Sequence, residues 1–473
     1  MTTGSADLTA PPRTQRDIPR LVIAGTASGV GKTTLMVGLT TALRRRGLRV
    51  AVFKCGPDYL DPSYHARASG GPCHNLDGWL MGREAVLQTF ERATRDADIA
   101  LVEGVMGLFD GASPRGDVGS TAEIAKWLAA PVILCIDASG MARSIAAVTL
   151  GFSSFDSALN LAGIIANHVG SRSHLSLLEK AMDQPLCGGL PKQPAQAFPE
   201  RHLGLLSARD PSVTATQLSA WGDLVEDWCD CDRLVAIART APPLAAPTPT
   251  PLGRSKAAPL CRIGIAQDAA FDFYYEDNLA RLREEGAELV PFSPIVDPAL
   301  PQVDGLYFGG GYPEAHAEAL AANASMRAAV RGFADAGGPV YAECGGLIYL
   351  SKTLTQLSGE RHDMVGLIDA HVMMRERLQA LGYVEVETQV PSILGGAGVR
   401  FRGHQFRYSE LKIDDDARPE LVYSLRRRRD DKVMPEGYRH RKVIASYVHA
   451  HWASNPMVAR SFVRSCHTHQ LER

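Results

Sequence analysis

The stretch Gly25-Thr26-Ala27-Ser28-Gly29-Val30-Gly31-Lys32-Thr33-Thr34 decides how the first half of the chain is read. It follows the apolar run Leu21 to Ala24 and opens the amphipathic pattern LMVGLTTALRRRG, the strand, loop and helix context that a phosphate-binding P-loop requires. Gly29 and Gly31 let backbone N–H groups turn inward on phosphates, the helix N-terminus adds partial positive charge, and Lys32 reaches the outer phosphates. Thr33 is placed to ligate Mg²⁺. Thr26 stands where the usual pattern has its first glycine, with Gly25 displaced one position toward the strand. A glycine turn with a chance lysine is the competing reading, and GKTT opening a helix after a buried strand disfavours it.

Working outward, the first half alternates short Val/Ile/Leu runs (RLVIAG, RVAVFK, DIALVEG, PVILCID, LAGIIAN) with helix-length segments, the pattern of parallel strands covered on both faces. Acidic residues stand where these strands end, the edge at which open α/β sheets bind ligands. Asp58 and Asp61 follow RVAVFK, Glu103 ends DIALVE, and Asp110 lies in the loop beyond it. All four are expected to converge on the metal and the reacting phosphate, with Thr33, Asp61 and Glu103 as the metal ligands. Helix caps and turn acids are the ordinary alternative for each. Asn167, at the end of LAGIIAN, is a candidate for the adenine edge or a plain turn residue.

Residues 240–260 (TAPPLAAPTPTPLGRSKAAPL) are rich in Pro and Ala and read as an extended connector. The expected division is a leader over 1–18, a P-loop domain over 19–239, this linker, and a second α/β domain over 261–473. In the second domain the strand PVYAE delivers Cys344 into Gly345-Gly346 and a helical run, a turn that exposes a nucleophile. The helix N-terminus is expected to lower the thiol pKa. An upstream strand ends in Phe308-Gly309-Gly310-Gly311, so the N–H groups of Gly310, Gly311 and Gly345 are candidates for an oxyanion hole. A third strand is expected through Ser446 to Trp452; alternation puts His449 and His451 on one face, and pattern alone does not choose between them as the base.

Composition limits the alternatives. The chain has 473 residues, 45% hydrophobic, with 50 Lys+Arg against 52 Asp+Glu and a net charge of -2, so bulk charge makes no case for nucleic acid or an anionic membrane. Nine scattered cysteines make a disulfide scaffold unlikely for this length, and Cys229-Asp230-Cys231 and Cys466-His467-Thr468-His469 lack the further ligands a zinc site needs. With no signal-like segment and no apolar run of membrane-spanning length, a cytoplasmic protein is expected. A symmetric homodimer is among the expected assemblies.

The combination GTASGVGKTT, KCGPDYLDP, VEGVMGLFDG, FGGGYPE, AECGGL, ALGYVEVE, GHQFRYS and SYVHAHWASNP resembles the cobyrinate/hydrogenobyrinate a,c-diamide synthase family over nearly the whole chain. The resemblance implies an α/β architecture: a dethiobiotin-synthetase-like P-loop domain with a parallel sheet, followed by a flavodoxin-like class I glutamine amidotransferase domain. It implies ATP and Mg²⁺, a corrinoid acceptor amidated at its a and c acetates, and glutamine as the nitrogen source. It puts the nucleophile on Cys344 and, through the related cobyric acid synthases, the base on His449. His451 stands where many class I amidotransferases have a glutamate. Cobyric acid synthase is disfavoured by the segment KCGPDYLDP, nickel-sirohydrochlorin diamide synthase is the closer rival, and a ParA-like switch with a vestigial second domain is the rival from another class.

Overall fold

A computed structural model describes residues 17–192, 200–201, 204–205, 214–245, 258–414 and 419–473. Most of the expected leader and the centre of the expected linker, residues 246–257, lie outside the described residues. Among the described residues no helix is long and apolar enough to cross a membrane.

The first half runs β1 (Arg20–Gly25), α1 (Lys32–Arg45), β2 (Val50–Cys55), α2 (Leu60–Ser69), β3 (Cys73–Leu76), α3 (Gly78–Met81), α4 (Arg83–Ala93), β4 (Ile99–Glu103), α5 (Thr121–Trp127), β5 (Val132–Asp137), α6 (Ser144–Phe155), β6 (Leu161–Val169), α7 (Arg172–Ala181) and β7 (Leu186–Pro191). The seven strands form one parallel sheet in the order β3-β2-β4-β1-β5-β6-β7. β1 and β4 are buried at every position, which is why they read as unbroken apolar runs. A two-residue ribbon, β8 (Glu200–Arg201) with β9 (Gly204–Leu205), precedes α8 (Ala215–Trp228) and α9 (Cys231–Ala238). Trp221 and Val225 of α8 cover the outer face of α1, where Gly38 allows the helix backbones to approach closely.

The second half runs β10 (Cys261–Ala266), α10 (Glu276–Glu284), β11 (Ala287–Phe292), β12 (Gly305–Phe308), α11 (Ala317–Ala322), α12 (Ala324–Asp335), β13 (Val340–Glu343) and α13 (Gly345–Leu350). Then come β14 (Ser351–Thr355), β15 (Arg361–Asp363), β16 (Ile368–Met374), β17 (Ala380–Thr388), β18 (Arg400–Arg407), β19 (Ser409–Ile413), β20 (Glu420–Arg427), β21 (Val433–His440), β22 (Val443–Ser446), β23 (His449–His451) and α14 (Met457–Glu472). A ten-stranded sheet has the order β11-β10-β12-β13-β22-β21-β20-β17-β18-β23; its first five strands are parallel and the rest antiparallel. β15, β14, β16 and β19 make a separate four-stranded sheet.

One expectation is corrected here. The run from Ser446 to Trp452 is two strands rather than one: β22 pairs with β13, whereas β23 pairs with β18 at the far end of the sheet. The break falls at Tyr447 and Val448, whose N–H groups leave the ladder for the Glu436 carboxylate (2.8 Å) and the Ser446 hydroxyl (3.0 Å). Side-chain acceptors satisfy the backbone donors, so the chain can turn out of the sheet without burying an unpaired N–H.

Candidate active sites

The P-loop lies at the C-terminal edge of the parallel sheet and borders a cleft of about 600 Å³, within the range of small-molecule sites. Gly31 caps α1 with φ 89°, a conformation that favours glycine, and a side chain there would run into the Asn167 amide. Asn167 donates to the Val30 carbonyl (2.8 Å) and accepts from the His168 N–H (2.9 Å), so it braces the loop while lining the cleft. Lys32 curls back onto the carbonyls of Ala27 (2.9 Å) and Met106 (2.6 Å), and its pKa is lowered, mainly by burial.

Glu103 is fully buried and accepts from the Thr33 hydroxyl (2.8 Å) and the Lys54 ammonium (2.8 Å), with His65 Nε2 at 2.5 Å. Burial would raise its pKa, but Lys54 and His65 outweigh that and hold it well below the usual carboxylate range. Lys54 also reaches Asp61 (2.6 Å) and lies 3.9 Å from Asp58. Asp58 accepts from the N–H groups of Leu60 and Asp61 at the start of α2, and burial with Asp61 beside it pushes its carboxyl up to about 7. The structure thus gathers Asp58, Asp61 and Glu103 around one buried ammonium, with Thr33 bonded to Glu103. Lys54 is the residue that sequence reading missed, because a lysine ending a strand carries no motif of its own. Asp110 does not join this set: it is exposed, does not line the cleft, and accepts from the Gly107 N–H (3.0 Å) within its own turn. The oxygen donors of Thr33, Glu103 and Asp61 suit a hard divalent cation such as Mg²⁺.

In the second domain Cys344 occupies the turn between β13 and α13 at φ 47°, the strained geometry of a nucleophile elbow. Its Sγ faces the Phe406 carbonyl at 3.8 Å. Contrary to the lowered pKa expected from the helix N-terminus, burial dominates and pushes the thiol up to about 12. His449 is 2% exposed, lies against Gly310, and has its pKa lowered to about 3 by burial and the neighbouring His404. Its buried Nδ1 has no hydrogen-bond partner among the described residues. His451 lies one pleat away against the Tyr275 ring at 4.5 Å, and its Nδ1 accepts from the Ala453 N–H.

The expected oxyanion set changes by one member. Gly310 N–H donates to the Phe273 carbonyl (3.2 Å) in an antiparallel bridge, so it is engaged elsewhere. Gly311 N and Gly345 face each other across the elbow, close enough that a side chain on Gly345 would stand 3.0 Å from Gly311 N. Gly311 itself has φ 154° and sits so near the Ala270 carbonyl that no side chain fits.

Two family models match parts of the chain. Residues 21–204 match the CobQ/CobB/MinD/ParA nucleotide binding domain family, and residues 262–457 match the CobB/CobQ-like glutamine amidotransferase domain family. Over 453 residues the chain is 54% identical to a cobyrinate a,c-diamide synthase of Leptospira interrogans, covering 95% of this chain and 98% of the relative. It is 48% identical to the synthase of that name from Syntrophotalea carbinolica and 42% identical to one from Dehalococcoides mccartyi, each over 95% of this chain and 98% of the relative.

Proposed function

Because the chain belongs to the cobyrinate a,c-diamide synthase family, a family of ATP- and glutamine-dependent amidating ligases of cobalamin biosynthesis, we propose that its two sites amidate the a and c acetate carboxylates of cobyrinate or hydrogenobyrinate. The observation that carries this reading is the presence, in one chain, of a phosphate cradle edged by Lys54 and three acids, and of a thiol elbow at Cys344 together with a buried imidazole, His449, packed against Gly310.

In the amidotransferase domain the Cys344 sulfur attacks the side-chain carbonyl carbon of glutamine, and His449 takes the thiol proton and passes it to the departing ammonia. The N–H groups of Gly311 and Gly345 hold the oxyanion; water then cleaves the thioester to glutamate. In the P-loop domain Lys32 moves from the Ala27 and Met106 carbonyls onto the phosphates, and a phosphoryl group passes from ATP to the acceptor carboxylate. Thr33, Glu103 and Asp61 are the residues that would hold Mg²⁺, which when bound would offset phosphate charge. Asp58 and Asp61 border the transfer, and Lys54 compensates their charge. Ammonia displaces phosphate from the acyl phosphate to give the amide, and a second carboxylate repeats the cycle.

Purified protein with ATP, Mg²⁺ and glutamine is offered hydrogenobyrinate, cobyrinate or nickel-sirohydrochlorin in parallel, and masses are read after turnover. Two carboxyl-to-amide conversions on hydrogenobyrinate or cobyrinate are expected. Conversion of nickel-sirohydrochlorin alone would reassign the acceptor, and glutamine hydrolysis with no amide on any macrocycle would remove it.

A further inference from the structure

Tyr59 stands between Asp58, which faces Lys54, and Leu60 and Asp61, which line the nucleotide cleft with it, yet its own ring points out of that cleft into the amidotransferase domain. There it lies nearly parallel on Phe273 (centroids 5.2 Å, 11°) and against Tyr275 (4.7 Å) and His449 (5.1 Å). Phe273 is the residue bridged to Gly310 by two backbone hydrogen bonds, 3.1 and 3.2 Å, and its ring meets Tyr312 edge-on at 5.1 Å. One side chain of the P-loop domain therefore touches the imidazole directly and, through Phe273, reaches the segment that carries Gly310, Gly311 and Tyr312. Its backbone is the N-cap of α2, the turn that presents Asp58 and Asp61 to the cleft.

We propose that Tyr59 is the positioning residue through which filling of the nucleotide and acceptor cleft sets the activity of the glutaminase site. Ligands that draw Asp58 and Asp61 toward Mg²⁺ and phosphate turn the first residues of α2 as a unit, and the Tyr59 ring moves with them. That motion changes what is packed against His449 and stacked on Phe273, and through the Phe273–Gly310 bridge it shifts the oxyanion N–H of Gly311. With the ring seated, His449 is 2% exposed and Cys344 8%, and this burial raises the thiol pKa and lowers that of the imidazole. Hydrolysis of glutamine is thereby deferred until an acceptor is ready for the ammonia. The inference rests on the amidation reading above and adds to it a physical link between the two reactions.

The test uses full-length wild type, Tyr59→Ala and Tyr59→Phe. Glutamate release is measured with and without ATP, Mg²⁺ and macrocycle, and amide formation is measured from glutamine and, separately, from ammonium chloride. Wild type is expected to accelerate glutamate release by about tenfold when the cleft is filled, an ordinary size for coupling between sites. Tyr59→Ala loses that response and releases several glutamates per amide, while amidation from ammonium stays within about twofold of wild type, which also reports an intact fold. Tyr59→Phe keeps the ring contacts and behaves as wild type. Unchanged coupling in Tyr59→Ala overturns the proposal, and so does loss of its ammonium-driven amidation, which would make the residue part of acceptor binding. If wild type makes no amide from either nitrogen source but ATP still accelerates glutamate release in a Tyr59-dependent way, the acceptor reading fails and the coupling stands.

Discussion

Lys54 is 3% exposed, and its ammonium is shared by Asp61, Glu103 and the Gly104 carbonyl. Removing one partner of a buried ion pair leaves uncompensated charge and costs roughly 3–5 kcal/mol. Lys54→Met is therefore expected to lower the melting temperature. It is also expected to cut ammonium-driven amidation by about a hundredfold, the scale seen when one donor to a developing charge is removed. Basal glutamate release, whose reacting groups Cys344 and His449 do not touch Lys54, stays near wild type, which separates this loss from unfolding; equal loss of both activities would show that Lys54 is structural alone. At this scale the sequence was legible where a residue type carries a spacing rule. Lys32, Thr33 and Cys344 sit in motifs whose backbone geometry dictates their side chains' positions. Lys54 and His65 meet Glu103 only because β2, α2 and β4 are neighbours in space, and Gly310 was misjudged because its N–H partner, Phe273, is 37 positions away.

Glu343 ends β13 immediately before Cys344, and it ties that strand to the histidine strand. Its carboxylate accepts from the Ala450 N–H (3.0 Å), between His449 and His451, and from the hydroxyls of Tyr341 (2.8 Å) and Tyr307 (3.1 Å). Burial pushes its pKa up to about 8 even though these donors favour the anion. In an unfolded chain the same carboxyl titrates near 4.5. Between those values the unfolded state releases the proton and the folded state keeps it, so the contribution to stability is complete below about pH 4.5 and declines as pH rises to about 8. Glu343→Gln, neutral at every pH, removes that slope. The drop in melting temperature between pH 5.5 and pH 8 is expected to be smaller in the variant than in wild type, and an identical drop would mean that Glu343 is ionised in the native protein. The element scale also shows why parallel strands were easier to anticipate than the rest. β1, β4 and β13 are buried along their whole length and β5 at all but its last residue, so they stand out as apolar runs, whereas β17 and β20 are only partly buried and β23 has three residues. Nothing in SYVHAHW marks the break at Tyr447, which depends on Glu436 from a different strand.

The two domains meet along a seam with no sequence signature. Trp79 of α3 lies beneath the guanidiniums of Arg402 (4.9 Å) and Arg428 (5.3 Å), Arg402 donates to the Trp79 carbonyl (2.7 Å), and the Tyr383 hydroxyl donates to Asp77 (2.6 Å). Arg428 belongs to the run Arg426 to Arg429, which as sequence reads most simply as a solvated loop; its position over Trp79 makes part of that run an interdomain contact. At the other end of the seam, Asp277 of α10 is 2% exposed and accepts from Thr89 (2.9 Å) and Arg92 (2.5 Å) of α4 and from Arg281 (2.7 Å) of its own helix. Burial opposes its charge, yet Arg281, His451 and Arg92 hold its carboxyl well below the usual range. A charge so placed makes the fold of each domain depend on the other: if the P-loop domain opens, Asp277 loses two of its donors while still packed beneath β23. Wild type is therefore expected to unfold in a single calorimetric transition despite its two domains. Arg92→Met, which leaves Asp277 with Arg281 as its one charged donor and Thr89 as the remaining link across the seam, is expected to split that transition into two, the lower one shifted with pH as Asp277 takes up a proton more readily. Two transitions already present in wild type would show that Asp277 holds the amidotransferase domain together by itself, with Arg92 contributing only at the surface of contact.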